Sequence, residues 1–301
     1  MLVDETIAQK MFAGLCCGRE RCTTEALRVL SDFVLGQQAG NGGFVNRGGQ
    51  ADLYYTMFGL LLVAVLRVPI RRDQVARYLD SLDPVSLDLV HLLCLVRCRV
   101  LLAYLALPET LQNAAAGLGL RGNVSEALCR QGAEMLHSRQ TTLFPLQDPT
   151  SPYSQFLRLS LAQELGFSYA GESLADYCQA DGLFSNLKGA EYSSTNASSS
   201  ALVLGYYGCG CKIESETLRM FSCCQQQDGA FKAADGAPQT DLLSTATAAF
   251  ALSLYQVKPA LSVRDFLYAA FTESGGFSSG AGDLMADLEY TVYGLLLMGV
   301  S

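Results

Sequence analysis

Three aspartates occur at the same place in three similar stretches of the sequence and are the first candidates for chemistry. Asp52, Asp241 and Asp287 are each followed by a threonine four residues later and by an apolar run. This pattern predicts a helix N-cap, because a carboxylate there accepts hydrogen bonds from unpaired backbone amide groups. The functional alternative is a group of acids at one rim of a cavity, with Asp241, Asp287 and Tyr290 as candidate catalytic residues. Three carboxylates at a rim would largely cancel the positive helix ends that attract anions, which argues against a diphosphate ligand.

Two histidines and eleven cysteines are the other groups that could bind a metal or act in catalysis. His91 lies in an apolar segment, which favours a hydrogen-bonded core residue over a base or a ligand. His137 ends a predicted helix, where the helix dipole favours a cation. No two cysteines have the Cys-x-x-Cys spacing typical of a zinc site, so we predict no metal site, and a structural thiolate site stays the alternative. The clustered cysteines are Cys16, Cys17 and Cys22, Cys209 and Cys211, and Cys223 and Cys224.

Small polar and aromatic side chains are the candidates for lining a cavity. The segment Ser193–Ser200 carries many small polar side chains on a helix that should face the centre of the fold, which implies either close helix packing or a hydrated cavity wall. Aromatic residues near the starts of other helices would add apolar surface, for which core packing is the alternative to contact with an isoprenoid. The candidate lining residues are Tyr55, Phe58, Ser198 and Tyr293.

These residues belong to a repeat that organises the chain. Each copy has a turn of the Gly-Gly-Phe type, a polar loop, an acidic residue and an apolar run, which predicts a loop, a cap and a buried helix. The first and last copies start at Gly42 and Gly275, and another starts at Asp228. A fourth, looser copy starts at Asp181, with Glu191 and Thr195 in the places of Asp and Thr. Six buried helices are predicted in all, starting at Asp52, Asp88, Asp148, Glu191, Asp241 and Asp287.

The hydrophobic pattern predicts that these six helices are the inner members of six pairs, one pair including a helix over Gly171–Gln179. One helix of each pair has a single apolar stripe, and the other is apolar or small on nearly all sides, so other helices must surround it. Six inner helices inside six outer ones satisfy that need, whereas an open superhelix would require polar end caps. We therefore predict an all-α fold, a closed α/α toroid or barrel of about six helical hairpins. It is a single domain over residues 1–301, with residues 1–24 as a poorly defined N-terminal segment.

The composition favours a protein with a large core, because half of its 301 residues are hydrophobic and only 17% are charged. No apolar run reaches the roughly 18 residues of a membrane span, since Arg97 and Arg99 interrupt the long segment that starts at Leu87. The net charge of -8 opposes binding to nucleic acid. The first residues include acids where an export signal carries basic residues, and the cysteine number is odd. We therefore predict a cytoplasmic protein with free thiols.

The phrases over residues 225–231, 275–277 and 287–295 resemble the repeats of protein prenyltransferase β subunits and, more distantly, those of triterpene cyclases. The matching segments cover about residues 42–63 and 178–300. The resemblance implies the toroid fold. For a protein transferase of this kind it would also imply a zinc ion and a helical partner subunit.

The zinc ligands that the resemblance implies are an Asp-x-Cys pair and a histidine in the last repeat. Asp241 takes the Asp position, but Leu243 stands in the Cys position and Tyr290 in the His position. One carboxylate does not retain zinc, since catalytic sites use about three protein ligands. In that family, basic residues shortly before the Asp ligand hold the diphosphate. In this chain only Lys232 could take that role, and its position matches poorly. The acidic cluster of the cyclases is absent, and the chain has no Trp to match their repeat tryptophans.

The sequence therefore predicts a prenyltransferase-like pseudoenzyme, a non-catalytic binding or interaction protein without cofactor and without zinc-dependent prenyl transfer. Its partner would be an unknown protein or an apolar ligand. The alternative is a divergent protein prenyltransferase or another isoprenoid-handling enzyme, with Asp241 and Asp287 as acids at the rim. A cavity large enough for a prenyl chain would favour the enzyme, and a barrel filled by its own side chains would favour the scaffold.

Overall fold

The fold is built from α-helices, as the hydrophobic pattern predicts. The computed structural model describes residues 5–115, 125–137, 148–280 and 282–301, and 57% of the chain is helical. The helices are α1 (Ile7–Glu20), α2 (Thr24–Gly36), α3 (Leu53–Leu66), α4 (Arg72–Asp80), α5 (Leu89–Ala106), α6 (Glu109–Ala115), α7 (Glu126–His137), α8 (Pro152–Leu165), α9 (Thr195–Tyr206), α10 (Ser215–Ser222), α11 (Leu242–Leu254), α12 (Arg264–Ala270) and α13 (Leu288–Val300). Two short antiparallel hairpins accompany them, β1 (Phe44–Val45) with β2 (Ala51–Asp52) and β3 (Phe231–Lys232) with β4 (Thr240–Asp241).

The repeat seen in the sequence is a unit of local structure in which a turn is tied to the helix that follows it. The backbone amide of Phe44 donates to the Thr56 hydroxyl at 2.9 Å, and that hydroxyl donates to the Asp52 carbonyl at 2.6 Å. Thr245 and Thr291 make the same pair of hydrogen bonds in their repeats. The threonine four residues after the cap is therefore needed to satisfy a buried amide that has no other acceptor.

Glycine is required at two places in this unit. The first glycine of the turn has a positive φ in three repeats, 98° at Gly42, 82° at Gly229 and 92° at Gly275, a conformation that other residues adopt only with strain. Inside α13, a side chain at Gly294 would lie 2.5 Å from the ring of Phe277. The helix thus leaves room for the phenylalanine that the preceding turn inserts.

The helix of the fourth copy is capped three residues later than the sequence predicts, at Ser194 instead of Glu191. Helix α9 is capped by Ser194, whose hydroxyl accepts from Ala197, and the Ser198 hydroxyl takes the place of the repeat threonine by accepting from the Phe184 amide at 3.1 Å. Glu191 is exposed and lies outside the helix. A serine caps as well as an aspartate, so an alignment on acidic residues selects the wrong position.

Two other boundaries also differ from the prediction. Helix α8 is capped by Ser151 and not by Asp148, because Pro152 suits the first helical position, where no amide proton is needed. The segment predicted as a helix over Gly171–Gln179 contains only a 3₁₀ turn at Ala175–Tyr177.

The six apolar helices contact one another in sequence order. Helix α3 contacts α5, α5 contacts α8, α8 contacts α9, α9 contacts α11, and α11 contacts α13, which in turn contacts α3. Their side chains form most of the buried core, including 12 of the 14 residues of α3. The amphipathic helices α2, α4, α7, α10 and α12 each precede one of them in the chain.

The N-terminal segment, predicted to be poorly defined, forms helix α1 with a capping box made by Thr6 and Gln9. Helix α1 crosses the C-terminal ends of the apolar helices. The Ile7 amide donates to the Gln163 side chain in the last turn of α8 at 2.8 Å, and Phe12 packs against Tyr104 in the last turn of α5. The approach to α13 is very close, since a side chain at Gly299 would lie 1.8 Å from the Gly14 carbonyl oxygen.

One helix in the described part of the chain, α5, is long and apolar enough to cross a membrane by length and composition. It lies between α3 and α8, and its buried residues belong to the common core. Arg97 on this helix is paired with Glu164 of α8 at 3.0 Å. These contacts are those of a core helix, and the described residues contain no clear membrane span.

Candidate functional site

The six apolar helices place their caps and their inward-facing residues in one common register. The caps are Asp52, Asp88, Ser151, Ser194, Asp241 and Asp287. Counted from the cap, residues at the second, sixth and ninth positions lie on one face of a helix, because they are separated by steps of four and three. Side chains at these positions line one central cavity. They are Tyr54, Val90, Tyr153, Asn196 and Leu243 at the second position, Phe58, Cys94, Leu157, Ser200, Thr247 and Tyr293 at the sixth, and Arg97, Ser160, Val203, Phe250 and Leu296 at the ninth.

The central cavity has a volume of about 160 Å³. Met11 of α1 also lines it, so the helix that crosses the C-terminal ends closes one end of the cavity. At roughly 30 Å³ for each water, the space holds about five waters, and it is close in size to an engineered cavity of about 150 Å³ that admits benzene. The volume of the cavity is therefore that of a small molecule.

The wall of the cavity combines aromatic rings with small polar side chains. Six aromatic rings line it, from Tyr54, Phe58, Tyr153, Phe156, Phe250 and Tyr293. Ser160 of α8 and Ser199 of α9 also line it, and their hydroxyls are buried and have no hydrogen-bond partner among the described residues. A buried hydroxyl without a partner costs free energy, so a small rotation that brings either group to a water or a ligand in the cavity would be favourable.

An acid that sequence reasoning missed lies next to the cavity wall, one hydrogen bond away from a lining side chain. Glu289 occupies the second position of α13, the position at which the other five helices line the cavity, and it accepts a hydrogen bond from the Tyr54 hydroxyl at 2.7 Å. Burial raises the pKa of Glu289 above its usual value, and the hydrogen bond from Tyr54 only partly opposes this effect. The signal that could have identified it is the register: Glu289 follows its cap by the same two residues as Tyr54 and Leu243 follow theirs.

Asp287, a candidate catalytic residue, is held in a network at the rim. One carboxylate oxygen caps α13 by accepting from the Tyr290 amide at 2.8 Å, and the other accepts from Arg47 at 2.5 Å. Arg47 also pairs with Asp283 at 2.8 Å and lies over the Tyr290 ring, 5.3 Å from its centre. Burial raises the pKa of Asp283, but hydrogen bonds from Arg47, Ser279 and the backbone outweigh it and hold that pKa below its usual range. The rim acid and Tyr290 are thus occupied in joining the first repeat to the last.

Asp241 and Leu243 stand where the resemblance places two zinc ligands. The Asp241 carboxylate accepts from the Ser244 amide at 2.8 Å and from its hydroxyl at 2.7 Å, while Leu243 lines the cavity. Tyr290, in the third ligand position, is covered by Arg47, and burial raises its pKa to about 12. One capping carboxylate, one alkyl group and one neutral phenol do not form a zinc site. The expectation that the protein needs no zinc stays a prediction.

Two of the four predicted lining residues, Phe58 and Tyr293, line the cavity, and their ring centres are 6.0 Å apart. The other two do not. Tyr55 lies beside Tyr54 at the rim, and Ser198 is occupied by the hydrogen bond to the Phe184 turn. Both point away because they follow their caps by three and four residues, and these positions lie outside the helix face formed by the second, sixth and ninth positions.

The histidine and the cysteines within the described residues have structural surroundings. His91 Nδ1 lies 2.7 Å from Asp88, and that hydrogen bond raises the pKa of His91. All eleven cysteines are free thiols, and burial raises the pKa of Cys94, which lines the cavity, to about 12. The residues with described side chains contain no group of three His, Cys, Asp or Glu that could hold a metal ion. His137 lies at the end of α7.

A scan against protein-family models matches no family, and a search of curated proteins finds no significant relative. Function has to be argued from the cavity and the residues around it.

Proposed function

We propose that this chain is a closed α/α toroid of the prenyltransferase type that binds a small ligand in its central cavity and does not carry out zinc-dependent prenyl transfer. Closure is supported by the contacts that join its first and last repeats. Helix α13 contacts α3, Tyr54 donates to Glu289, and Arg47 pairs with Asp287.

The observation that carries the proposal is the common register of the six helices around one cavity. A protein that used its barrel only as a scaffold would be most stable with the centre filled, because an unfilled space forfeits dispersion contacts and hydrophobic burial. Here each of the six apolar helices contributes a side chain to the wall, and two lining serines have buried hydroxyls without a partner among the described residues. Both features fit a site that is completed by a bound molecule.

The size of the cavity favours a small ligand over a prenyl chain. A volume of about 160 Å³ corresponds to a molecule of the size of benzene. A farnesyl or geranylgeranyl chain is several times longer and would require the aromatic residues of the wall to move. Phe58 is nearly fully buried among its neighbours, at 4% exposed, which opposes such movement.

The proposal is tested by measuring small-molecule binding and prenyl transfer on the same preparation. The neutral probe is 3,3-dimethylbutan-1-ol, and binding is followed by thermal shift and by isothermal titration. We expect saturable binding that is lost in Ser200→Leu, which fills the cavity, and kept in Ser215→Leu, a matched change at an exposed position of α10.

The same protein is then incubated with zinc, farnesyl diphosphate and a peptide ending in a cysteine motif. We expect no prenylated peptide. Transfer that disappears in Asp241→Ala would refute the proposal in favour of the enzyme, and equal binding by the wild type and Ser200→Leu would show that the cavity is not the site.

A further inference from the structure

The chemistry of the central cavity identifies the class of ligand, provided that the cavity is a binding site as proposed above. We propose that the ligand is a small organic cation, an alkylated ammonium group carrying a hydroxyl or a similar polar end, bound against the aromatic wall on the side of Tyr54, whose hydroxyl donates to the Glu289 carboxylate.

Glu289 has no cationic partner among the described residues. Its carboxylate accepts a hydrogen bond from Tyr54, a neutral donor, and no ion pair joins it to any described Lys, Arg or His. The nearest cation at the rim, Arg47, is held by Asp287 and Asp283 and by the Met285 carbonyl. Buried charges are usually paired, so an acid in this position lacks a partner that a cationic ligand would supply.

Arg97 is the only basic side chain among the described lining residues. It is nearly buried, and its guanidinium lies 3.0 Å from Glu164. Its charge is balanced by that pair and does not compensate the Glu289 carboxylate. The Glu289 carboxylate next to the wall disfavours a carboxylate or phosphate ligand and favours a cation.

Aromatic rings line the cavity next to the partner of this acid. Tyr54 and Phe58 pack edge to face with centres 4.9 Å apart, and Phe58 and Tyr293 are 6.0 Å apart, so the ring that contacts Glu289 belongs to a group of three lining rings. Aromatic faces attract ammonium groups most strongly in desolvated sites. A carboxylate and several rings together select a cation with apolar substituents over a hydrated metal ion.

Polar side chains of α8 and α9 also line the cavity. Ser160 and Ser199 have hydroxyls without a partner within the part of the chain that the structure describes, and Asn196 on α9 lies near the capped end. These groups suit a ligand that has a polar end as well as a charged end. The volume of about 160 Å³ limits the molecule to the size of choline.

The test compares choline with 3,3-dimethylbutan-1-ol, its neutral analogue of the same shape, by isothermal titration against the full-length protein. We expect choline to bind at least about tenfold more tightly, since a desolvated cation–ring contact alone contributes about that factor. Glu289→Gln should abolish this preference, because it removes the charge and keeps an acceptor for Tyr54. Glu273→Gln, an exposed change of the same charge, should leave the preference unchanged.

A second variant, Phe58→Leu, tests the proposal if Glu289→Gln fails to fold. Because it removes an aromatic ring from the wall, it should weaken the binding of choline more than the binding of 3,3-dimethylbutan-1-ol. Equal affinity for the two probes would overturn the cation inference and leave the small-ligand function standing. Failure of both probes to bind, with Ser200→Leu indistinguishable from the wild type, would overturn both proposals.

Discussion

The contact between Arg47 and Asp287 makes a quantitative prediction about how the first and last repeats are joined. If Asp287 were only a helix cap, Asp287→Asn would cost little, because asparagine caps about as well as aspartate. In the structure the second carboxylate oxygen of Asp287 accepts from Arg47 at 2.5 Å. An asparagine would keep the cap but either lose the charge of this acceptor or turn an amide N–H toward the guanidinium.

The magnitude follows from the burial of the two partners. The Asp287 side chain is 5% exposed, and that of Arg47 is 35% exposed. Breaking a fully buried pair costs about 3–5 kcal/mol and an exposed pair contributes about 0–1 kcal/mol. Because Arg47 is partly hydrated and keeps its contacts to Asp283 and the Met285 carbonyl, we expect Asp287→Asn to lower the free energy of unfolding by about 2 kcal/mol.

The assay is urea unfolding followed by far-UV circular dichroism and tyrosine fluorescence. Asp241→Asn is the matched control, because Asp241 caps α11 in the same way and is paired with no arginine of the described residues. It should cost less than about 0.5 kcal/mol. A double-mutant cycle with Arg47→Met and Asp287→Asn should give a coupling energy of about 1–2 kcal/mol that decreases with added salt.

The reasoning is refuted if Asp287→Asn and Asp241→Asn have the same cost, or if the cycle shows no coupling. Either result would mean that Asp287 acts only as a cap and that the first and last repeats do not depend on this ion pair. The contact between α13 and α3 would then rest on packing alone.

Three further predictions concern the acid, the crossing of α1 and the repeat unit. Glu289→Gln should raise the urea midpoint relative to the wild type at pH 7.5 but not at pH 4. The pKa of Glu289 is raised in the folded state, so this group favours folding below its unfolded pKa of about 4.3, and that advantage is lost as pH rises through the folded pKa. Gly299→Ala should lower the free energy of unfolding by about 2 kcal/mol or more, measured in the same assay, because its side chain would meet the Gly14 carbonyl at 1.8 Å. Thr245→Val should cost about 1–3 kcal/mol, because it leaves the buried Phe231 amide without an acceptor, and Thr245→Ser should restore most of the loss.

The elements predicted most reliably are those whose cause is local. The caps at Asp52, Asp241 and Asp287 and the threonines four residues later are visible in the sequence, because the cap bonds its own helix and the threonine bonds the turn just before it. The buried helix predicted to start at Asp88 matches α5, which is capped by Asp88, since its start and its apolar composition are encoded in adjacent residues.

The predictions that failed required a choice between similar local signals. Asp148 and Glu191 are acidic residues near a helix start, but Ser151 and Ser194 are the caps, because serine serves equally well and the apolar core sets the start of the helix. The first 24 residues lack a repeat phrase, so their pattern alone did not show that α1 crosses the ends of the other helices through Gly14, Gly18 and Gly299.

By itself, the sequence determined that the chain is helical, that it repeats, and that each repeat ties a glycine turn to a capped apolar helix, because these features depend on residues within about 15 positions of one another. Only the tertiary structure decided which side chains share the cavity and which charges are paired. Glu289 meets Tyr54, and Asp287 meets Arg47, across sequence separations of 235 and 240 residues. Contacts of that kind depend on how helices pack around a centre, and no local pattern in the chain specifies them.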